Sequence, residues 1–309
     1  MKVVVQHGVG DPNWTPGILR PDAVAEFARR AERSGYAGLA FTDHPAPTVR
    51  WTEAGGEGSA DAMTSLAFCA AHTSVIRLLT FVLVLPYRNP FLTAHQVTTL
   101  DALSAGRLSL GLGTGYLKGE QRALGVDPDN RRARFDENLR ILLDAWRQQS
   151  VTAQGDGWSA REVHVQPRVT QTPHPPLFFH GNSAFGRERA ARHGAGWIGV
   201  VAGEELARTM RTPVIADLDA VGAAIRDLRE RAERHGRDPA EIDVGVGGLA
   251  PMLDVRRPWD TAAVLASAER AEALGVDTMY VTTCGDDPEA AADSVAEFGA
   301  QVVAAVSRE

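Results

Sequence analysis

Short apolar runs and longer amphipathic stretches alternate along the chain. The short runs are rich in Val, Leu, Ile and Phe at consecutive positions, which is typical of strands that are covered on both faces. Eight such runs predict strands at residues 3–6, 38–42, 78–85, 108–113, 177–179, 197–201, 243–248 and 278–283.

The stretches between these runs repeat apolar residues with the period of a helix. In the stretch 131–148, one face carries Phe135, Leu139, Leu142, Leu143 and Trp146. This face is expected to meet the core in preference to a subunit interface. The same pattern predicts helices at residues 21–34, 59–72, 90–104, 131–148, 183–193, 218–235, 261–274 and 288–306.

A strand followed by a helix, repeated eight times, predicts an α/β fold whose parallel sheet closes into a (β/α)8 TIM barrel. The chain has 309 residues and no shift in composition, so residues 1–309 are interpreted as a single domain. Two connections are long: residues 45–58 after the second strand and residues 151–176 before the fifth strand. Both are expected to be loops. Because the loops that follow the strands of a barrel carry the active site, the 45–58 segment is expected to cover a substrate.

Charge and composition narrow the class of partner. A formal net charge of −7 without a Lys/Arg-rich run argues against nucleic acid. No apolar run approaches the ~20 residues of a membrane span, so no membrane partner is expected. Cys69 and Cys284 have neither metal nor redox spacing, and the N-terminal strand is too short for a signal peptide. We therefore expect a cytoplasmic protein with reduced thiols.

Three histidines follow predicted strands: His7 after the first, His44 after the second and His180 after the fifth. The barrel rule places all three at one mouth. A lone histidine is often structural, whereas three at one rim favour function, with His7 in the substrate pocket. Metal-dependent barrel hydrolases need a His-x-His pair on the first strand, which this sequence lacks, so we predict no metal site.

Two glycine-containing turns are candidates for ligand binding. Residues 111–115 read Gly-Leu-Gly-Thr-Gly, which is either a tight turn or a close backbone approach to a ligand, and is not the dinucleotide fingerprint. Residues 180–183 read His-Gly-Asn-Ser before a predicted helix, which is either a plain N-cap or a phosphate site. Together with His44, the two turns suit a phosphorylated planar cofactor.

Five motifs occur in order along nearly the whole chain: FTDHP at 41–45, LPYRNP at 85–90, TLDALSAGRLSLGLG at 99–113, PPLFFHGNS at 175–183 and AARHGAGW at 190–197. Together they resemble the motifs of the luciferase-like monooxygenase superfamily and, within it, the F420-dependent oxidoreductases. Several ordered motifs on one chain are more specific than any one of them.

The resemblance implies coenzyme F420 across the barrel mouth. Asp43 and His44 would contact the ring region, with His44 as the proton-transfer residue. A cis peptide bond between Phe81 and Val82, followed by Leu83, would lie behind the ring. The remaining cofactor-binding residues would surround the phosphate; they are Gly113, Thr114, Gly115, His180, Gly181, Asn182 and Ser183.

The sequence departs from the family pattern at three positions that matter for chemistry. His180 stands where relatives often have glycine, and it either adds a donor to the phosphate or crowds it. In the sugar-phosphate dehydrogenase branch a glutamate stands at the position of Tyr116 and a tryptophan at that of Thr48. These differences argue against glucose 6-phosphate as the substrate.

The predicted function is F420-dependent transfer of hydride to or from a small organic substrate, with His44 or Tyr116 in the proton path. Two alternatives remain open: an FMN-dependent monooxygenase on the same fold, and a flavin-binding protein without catalysis. The resemblance also leads us to expect a homodimer.

Overall fold

Eight parallel strands close into a barrel in the computed structural model, which describes residues 1–8 and 16–307. The strands are β1 (Lys2–Gln6), β2 (Gly38–Phe41), β3 (Arg77–Val84), β4 (Leu108–Gly113), the hairpin strands β5 (Val151–Gly155) and β6 (Trp158–Val163), β7 (Leu177–His180), β8 (Gly196–Val200), β9 (Asp243–Gly247) and β10 (Thr278–Thr282). Around the barrel the order is β1-β10-β9-β8-β7-β4-β3-β2. The predicted TIM barrel and its eight strands are confirmed, each strand within two residues at either end.

Helices occupy the connections between the strands. They are α1 (Pro21–Arg33), α2 (Val49–Glu53), α3 (Ala62–Ala70), α4 (Pro90–Leu103), α5 (Lys118–Ala123), α6 (Arg131–Arg147), α7 (Ala184–His193), α8 (Glu204–Thr209), α9 (Leu218–Arg234), α10 (Thr261–Ala273), α11 (Pro288–Phe298) and α12 (Ala304–Val306). Several begin at a side chain that accepts a hydrogen bond from the first turn, as N-caps do; these caps are Asp61, Asn89, Ser183, Asp217, Asp260 and Asp287. No helix among the described residues is long and apolar enough to cross a membrane.

Alternate residues of the strands face opposite sides of the barrel wall. One set fills the barrel interior as a small cluster of Val4, Ala40, Leu79, Ile198 and Tyr280. The other set, which includes Val3 and Val5, joins the large core between the strands and the helices. The apolar face of α6 is buried in that core, as predicted.

The two long connections are present as predicted, but each contains regular structure that the sequence analysis did not predict. The 151–176 connection begins with the antiparallel hairpin of β5 and β6, which turns at Asp156 and Gly157. Gly157 has φ +74°, the backbone that such turns require, and Asp-Gly between extended residues is a hairpin signal. The 45–58 segment contains the short helix α2, whose first turn is capped by the side chain of Thr48.

The predicted helix at residues 288–306 was also only partly right. The α-helix ends at Phe298, a π-helical turn occupies Gly299–Val303, and a final α-helical turn follows. A Cβ atom at Gly299 would lie 2.5 Å from the side chain of Ser34, so this turn packs directly on the end of α1.

The end of β3 is irregular where it passes β4. The pairing register shifts between Thr80 and Leu83, and the peptide bond between Phe81 and Val82 is cis, as the sequence resemblance implied. This bulge lies towards the carboxyl end of β3, where it meets the mouth of the barrel.

Candidate active site

The carboxyl ends of β2, β3, β4 and β7 lie side by side, because these strands are consecutive neighbours in the barrel. The fold therefore brings together His44, the Phe81–Val82 bulge, the turn at Thr114 and His180 at one mouth. This is the end of a TIM barrel on which active sites are built.

His44 lies between two carboxylates. Its Nδ1 atom is 3.3 Å from Oε2 of Glu120, and its Nε2 atom is 3.5 Å from Oε1 of Glu57. Burial alone would lower the pKa of His44, but the hydrogen bonds to Glu120 and Glu57 outweigh it and raise the pKa to about 9. The imidazole is therefore protonated at neutral pH.

Glu120 reaches this site from α5, and its side chain is 0% exposed. It accepts hydrogen bonds from the backbone N–H of Ala46 at 3.0 Å and from the hydroxyl of Tyr87 at 2.9 Å. The sequence analysis missed both Glu120 and Glu57, because it considered only the first residues after each strand. Glu120 is the third residue of α5, and nothing in the sequence around it indicates that its side chain points at His44.

Tyr116 and Trp51 complete the surroundings of His44. The Oη atom of Tyr116 lies 3.3 Å from Nε2 of His44, and burial is the main cause that raises the pKa of Tyr116. The rings of Trp51 and Tyr116 meet edge to face with centroids 5.9 Å apart. Trp51 belongs to α2 in the 45–58 segment. This segment therefore places an indole near His44, although Thr48 occupies the position at which the sugar-phosphate dehydrogenase branch has its tryptophan.

Asp43 faces away from the open mouth. Its carboxylate accepts hydrogen bonds from the backbone N–H of Val84 at 3.0 Å and from the guanidinium of Arg88 at 2.8 Å. Burial raises the pKa of Asp43, and the neighbouring Arg88 and Val84 N–H oppose that rise. The side chain thus holds β2 against the bulged end of β3.

The bulge of β3 forms the floor of the mouth. The ring of Phe81 stacks on Tyr280 at a centroid distance of 4.8 Å and meets His180 edge to face at 5.7 Å. The side chain of Val82 lies over β4, where a Cβ atom at Gly113 would be 2.6 Å from Val82 Cγ2. Gly113 is therefore needed for close strand packing. Leu83 was expected to border the cofactor, but its side chain is buried in the core between the strands and the helices.

The turn after β7 offers a place for an anion. His180 is a neutral imidazole, since burial lowers its pKa to about 4. Gly181 has φ +120°, and an added Cβ would meet no atom of residues 1–8 and 16–307 within 4 Å. Ser183 is the N-cap of α7, with Oγ accepting from Gly186 N–H at 3.3 Å. The first N–H groups of a helix have no acceptor within it and favour an anion such as phosphate.

Asn182 corrects the sequence prediction of a phosphate ligand. Its side-chain amide donates to the carbonyls of Val200 at 2.8 Å and Pro213 at 3.0 Å, and its Oδ1 atom accepts from Val200 N–H at 2.9 Å. The backbone N–H of Asn182 is bonded to Thr212 Oγ1. Asn182 therefore joins the turn to β8 and has little left to offer a ligand.

His7 corrects the expectation of a substrate-pocket residue. Its ring stacks on Phe41 at 4.7 Å and meets Phe27 of α1 edge to face at 4.8 Å. Burial lowers its pKa to about 4. The side chain lies in the outer layer between the barrel and α1, as the strand alternation from Val3 and Val5 requires.

The mouth fits a planar cofactor that carries a phosphate. The open position at Gly181 and the start of α7 suit the phosphate, and the half-buried pair Phe81 and Val82 offers a flat apolar floor. The half-buried turn of Thr114 and Gly115 adjoins on the neighbouring strand β4.

Titratable groups gathered at the carboxyl ends of the strands of a parallel barrel are typical of a TIM-barrel enzyme. The model of the luciferase-like monooxygenase family matches residues 1–254, and the chain belongs to this family.

Relatives in this family differ in their cofactor. The chain is 29% identical over 245 residues to an FMNH2-dependent dimethylsulfone monooxygenase of Pseudomonas putida, a match that covers 78% of this chain and 60% of that protein. It is 31% identical over 227 residues to an F420-dependent glucose-6-phosphate dehydrogenase of Kineococcus radiotolerans, covering 72% and 62%. The matches thus span a little under two thirds of each relative.

Among solved structures, a monooxygenase from Streptomyces bottropensis superimposes with a TM-score of 0.79 at 22% identity, covering 98% of this chain and 99% of that one. This likeness confirms the barrel fold.

Proposed function

We propose that the protein is an F420-dependent oxidoreductase that transfers hydride between the deazaflavin and a small organic substrate. The observation that carries this proposal is the position of the His44 imidazole at the mouth, between the carboxylates of Glu120 and Glu57. Both carboxylates raise the pKa of His44, which favours an imidazolium at neutral pH. When hydride is added to a carbonyl carbon, the carbonyl oxygen must gain a proton, and a positioned imidazolium can supply it. The relative named for F420 supports the choice of cofactor.

The residues that would hold the cofactor lie on three neighbouring strand ends. The phosphate would bind the first N–H groups of α7 near Gly181 and Ser183, with Thr114 and Gly115 alongside. The ring would lie over the bulge of β3. A bound deazaflavin supplies or accepts the hydride, while the protein contributes orientation and electrostatics.

The chain's own residues would control the proton. His44 would release it from Nε2 to the substrate oxygen and become neutral, so that carbonyl and hydride donor yield alcohol and oxidised cofactor. Tyr116 contacts the same nitrogen and would orient it. Trp51 and Glu57 cover this nitrogen from the 45–58 segment and would keep bulk water away. A pKa of about 9 for His44 suits it to donate a proton at neutral pH, which is the role that reduction of a carbonyl substrate would require.

An FMN-dependent monooxygenase is the second candidate. It is favoured by the dimethylsulfone monooxygenase of Pseudomonas putida, which matches 78% of this chain. The same mouth and phosphate site would serve FMN, so oxygen consumption separates the two candidates.

The test is a fluorescence titration of the purified protein with F420 and, separately, with FMN. Selective micromolar binding of F420 supports the proposal, and selective binding of FMN supports the monooxygenase. Binding of neither rejects both.

A variant tests whether the phosphate binds at α7. Gly181→Val fills the open position there and should weaken cofactor binding. Gly236→Val is the matched control, because Gly236 also has positive φ and open space but follows α9 at the other end of the barrel. Equal loss of binding in both variants would reject the α7 site.

A further inference from the structure

Glu120 is a buried acid that no sequence motif pointed to. With its side chain 0% exposed, an unpaired carboxylate would be strongly disfavoured at this position. Its Oε1 atom accepts from Ala46 N–H, and its Oε2 atom accepts from Tyr87 and lies 3.3 Å from His44 Nδ1. Two of these partners, His44 and Ala46, belong to the segment that follows β2, and the third, Tyr87, follows β3.

The two nitrogens of His44 face different surroundings. Nδ1 faces Glu120 inside the protein, and Nε2 faces Tyr116 and Glu57 at the mouth. An ionised carboxylate can only accept a hydrogen bond, so Nδ1 must carry a proton to bond with Glu120. When the imidazole is neutral, the lone pair is then on Nε2.

We propose that Glu120 is the positioning residue of His44: it keeps the proton on Nδ1 and so makes Nε2 the atom that exchanges a proton with substrate. This proposal rests on the proposed function for its catalytic meaning. Fixing a tautomer through the nitrogen away from the reaction is a general use of a carboxylate beside histidine.

Glu57 is a natural internal control. It also lies beside His44, but at Nε2, and its side chain is 27% exposed. Both carboxylates help to raise the pKa of His44, whereas Glu120 alone among the described residues touches Nδ1. The other titratable side chains that contact this group are Tyr87, which bonds Glu120, and Tyr116, which contacts Nε2.

The experiment is a nitrogen-15 NMR titration of histidine-labelled protein without cofactor, with the His44 signals assigned from His44→Gln. In the wild type, we expect neutral His44 to carry its proton on Nδ1. Glu57→Gln should lower the pKa of His44 and leave the proton on Nδ1. Glu120→Gln should lower the pKa by about 1–3 units, because it removes an opposite charge, and should release the tautomer to a mixture.

Two results would overturn the proposal. One is a wild-type His44 whose neutral form carries its proton on Nε2, which needs no variant to fold. The other is a folded Glu120→Gln protein in which neutral His44 still carries its proton on Nδ1, whatever its pKa, because Glu120 would then act on His44 only as Glu57 does. Tyr87→Phe gives a second variant, since loss of its hydrogen bond should leave the Nδ1 tautomer intact.

Activity measurements then connect the tautomer to turnover. Glu120→Gln should lower kcat at least tenfold with the KM for F420 changed less than twofold. Since the NMR readout needs no cofactor, failure of the protein to bind F420 would reject the proposed function and leave the positioning result standing.

Discussion

The Oη atom of Tyr116 and the Oε2 atom of Glu120 lie on opposite sides of the His44 ring, each 3.3 Å from a ring nitrogen. The imidazole is thus held at both ends, and only the Tyr116 end borders the mouth. The hydroxyl of Tyr116 is therefore expected to steer Nε2 without being essential for the proton itself.

Tyr116→Phe tests this relationship. The variant keeps the ring contact with Trp51 and removes one hydrogen bond, so kcat should fall by about tenfold and F420 affinity should stay unchanged. Steady-state kinetics with a hydride acceptor found by screening gives the answer. A loss as large as that of His44→Ala would show that Tyr116 itself donates the proton.

His44→Ala distinguishes the proposed enzyme from a flavin-binding protein without catalysis. If His44 is the proton donor, kcat should fall by about 10²–10⁴-fold while the F420 dissociation constant changes little. Binding is measured by fluorescence and turnover by cofactor absorbance. A wild-type protein that binds cofactor tightly, turns over no acceptor and loses binding in this variant would instead favour the non-catalytic alternative.

The pH dependence of kcat follows from the raised pKa of His44. The ordinary histidine pKa is 6.5 and the folded-state pKa is about 9, so the group is protonated across neutral pH. Activity that needs this proton should be level near pH 7 and should fall as the pH rises through about 9. The interaction of His44 with the two carboxylates also stabilises the folded protein. This stabilisation is complete below pH 6.5 and is lost as the pH rises through about 9.

Glu57→Gln should move that fall in activity to lower pH, because it removes one of the two carboxylates that raise the pKa. A profile that rises through pH 9 would instead identify His44 as a base and favour oxidation of the substrate.

Much of this fold could be predicted from the sequence, because parallel strands that are covered on both faces appear as short runs of apolar residues. The hairpin of β5 and β6 left a weaker mark, since its outward residues are polar and its Asp156-Gly157 turn resembles a loop. His7 was misplaced although its face could have been predicted. Counting alternate residues from Val3 and Val5 puts its side chain on the outer side of the wall.

The site was harder to predict than the fold. The strand-end rule found His44 and His180, because that rule depends only on position along the chain. It could not find Glu120 or Glu57, which come from a short helix and an irregular segment that tertiary packing brings to His44. For Asn182 and Asp43, the sequence could not show that other protein groups already occupy their hydrogen-bonding atoms.

Asp43 is expected to contribute mainly to the stability of the fold. Asp43→Ala leaves the buried N–H of Val84 unpaired and removes a partner of Arg88, so the free energy of unfolding should fall by about 3 kcal/mol. Asp61→Ser is the control, because it removes the outer, 3.4 Å contact of the same Arg88 and retains a capping side chain for α3. That variant should cost less than about 1 kcal/mol in urea denaturation. Similar losses in both would contradict the role of Asp43 in joining β2 to β3.

Asn182 could either bind the cofactor phosphate or stabilise the fold through its hydrogen bonds, and a variant separates these two roles. Asn182→Ala removes two donated hydrogen bonds and one accepted one from the junction of β7 and β8, so the free energy of unfolding should fall by about 2–4 kcal/mol. Asn182→Asp keeps the acceptor and loses both donors, and it should also destabilise. Well below the unfolding temperature, the F420 dissociation constant of Asn182→Ala should stay within about twofold of the wild type, since the phosphate would bind the amides of α7. A tenfold weaker affinity with unchanged stability would mean that the side chain leaves Val200 and Pro213 to bind the phosphate, as the sequence first indicated.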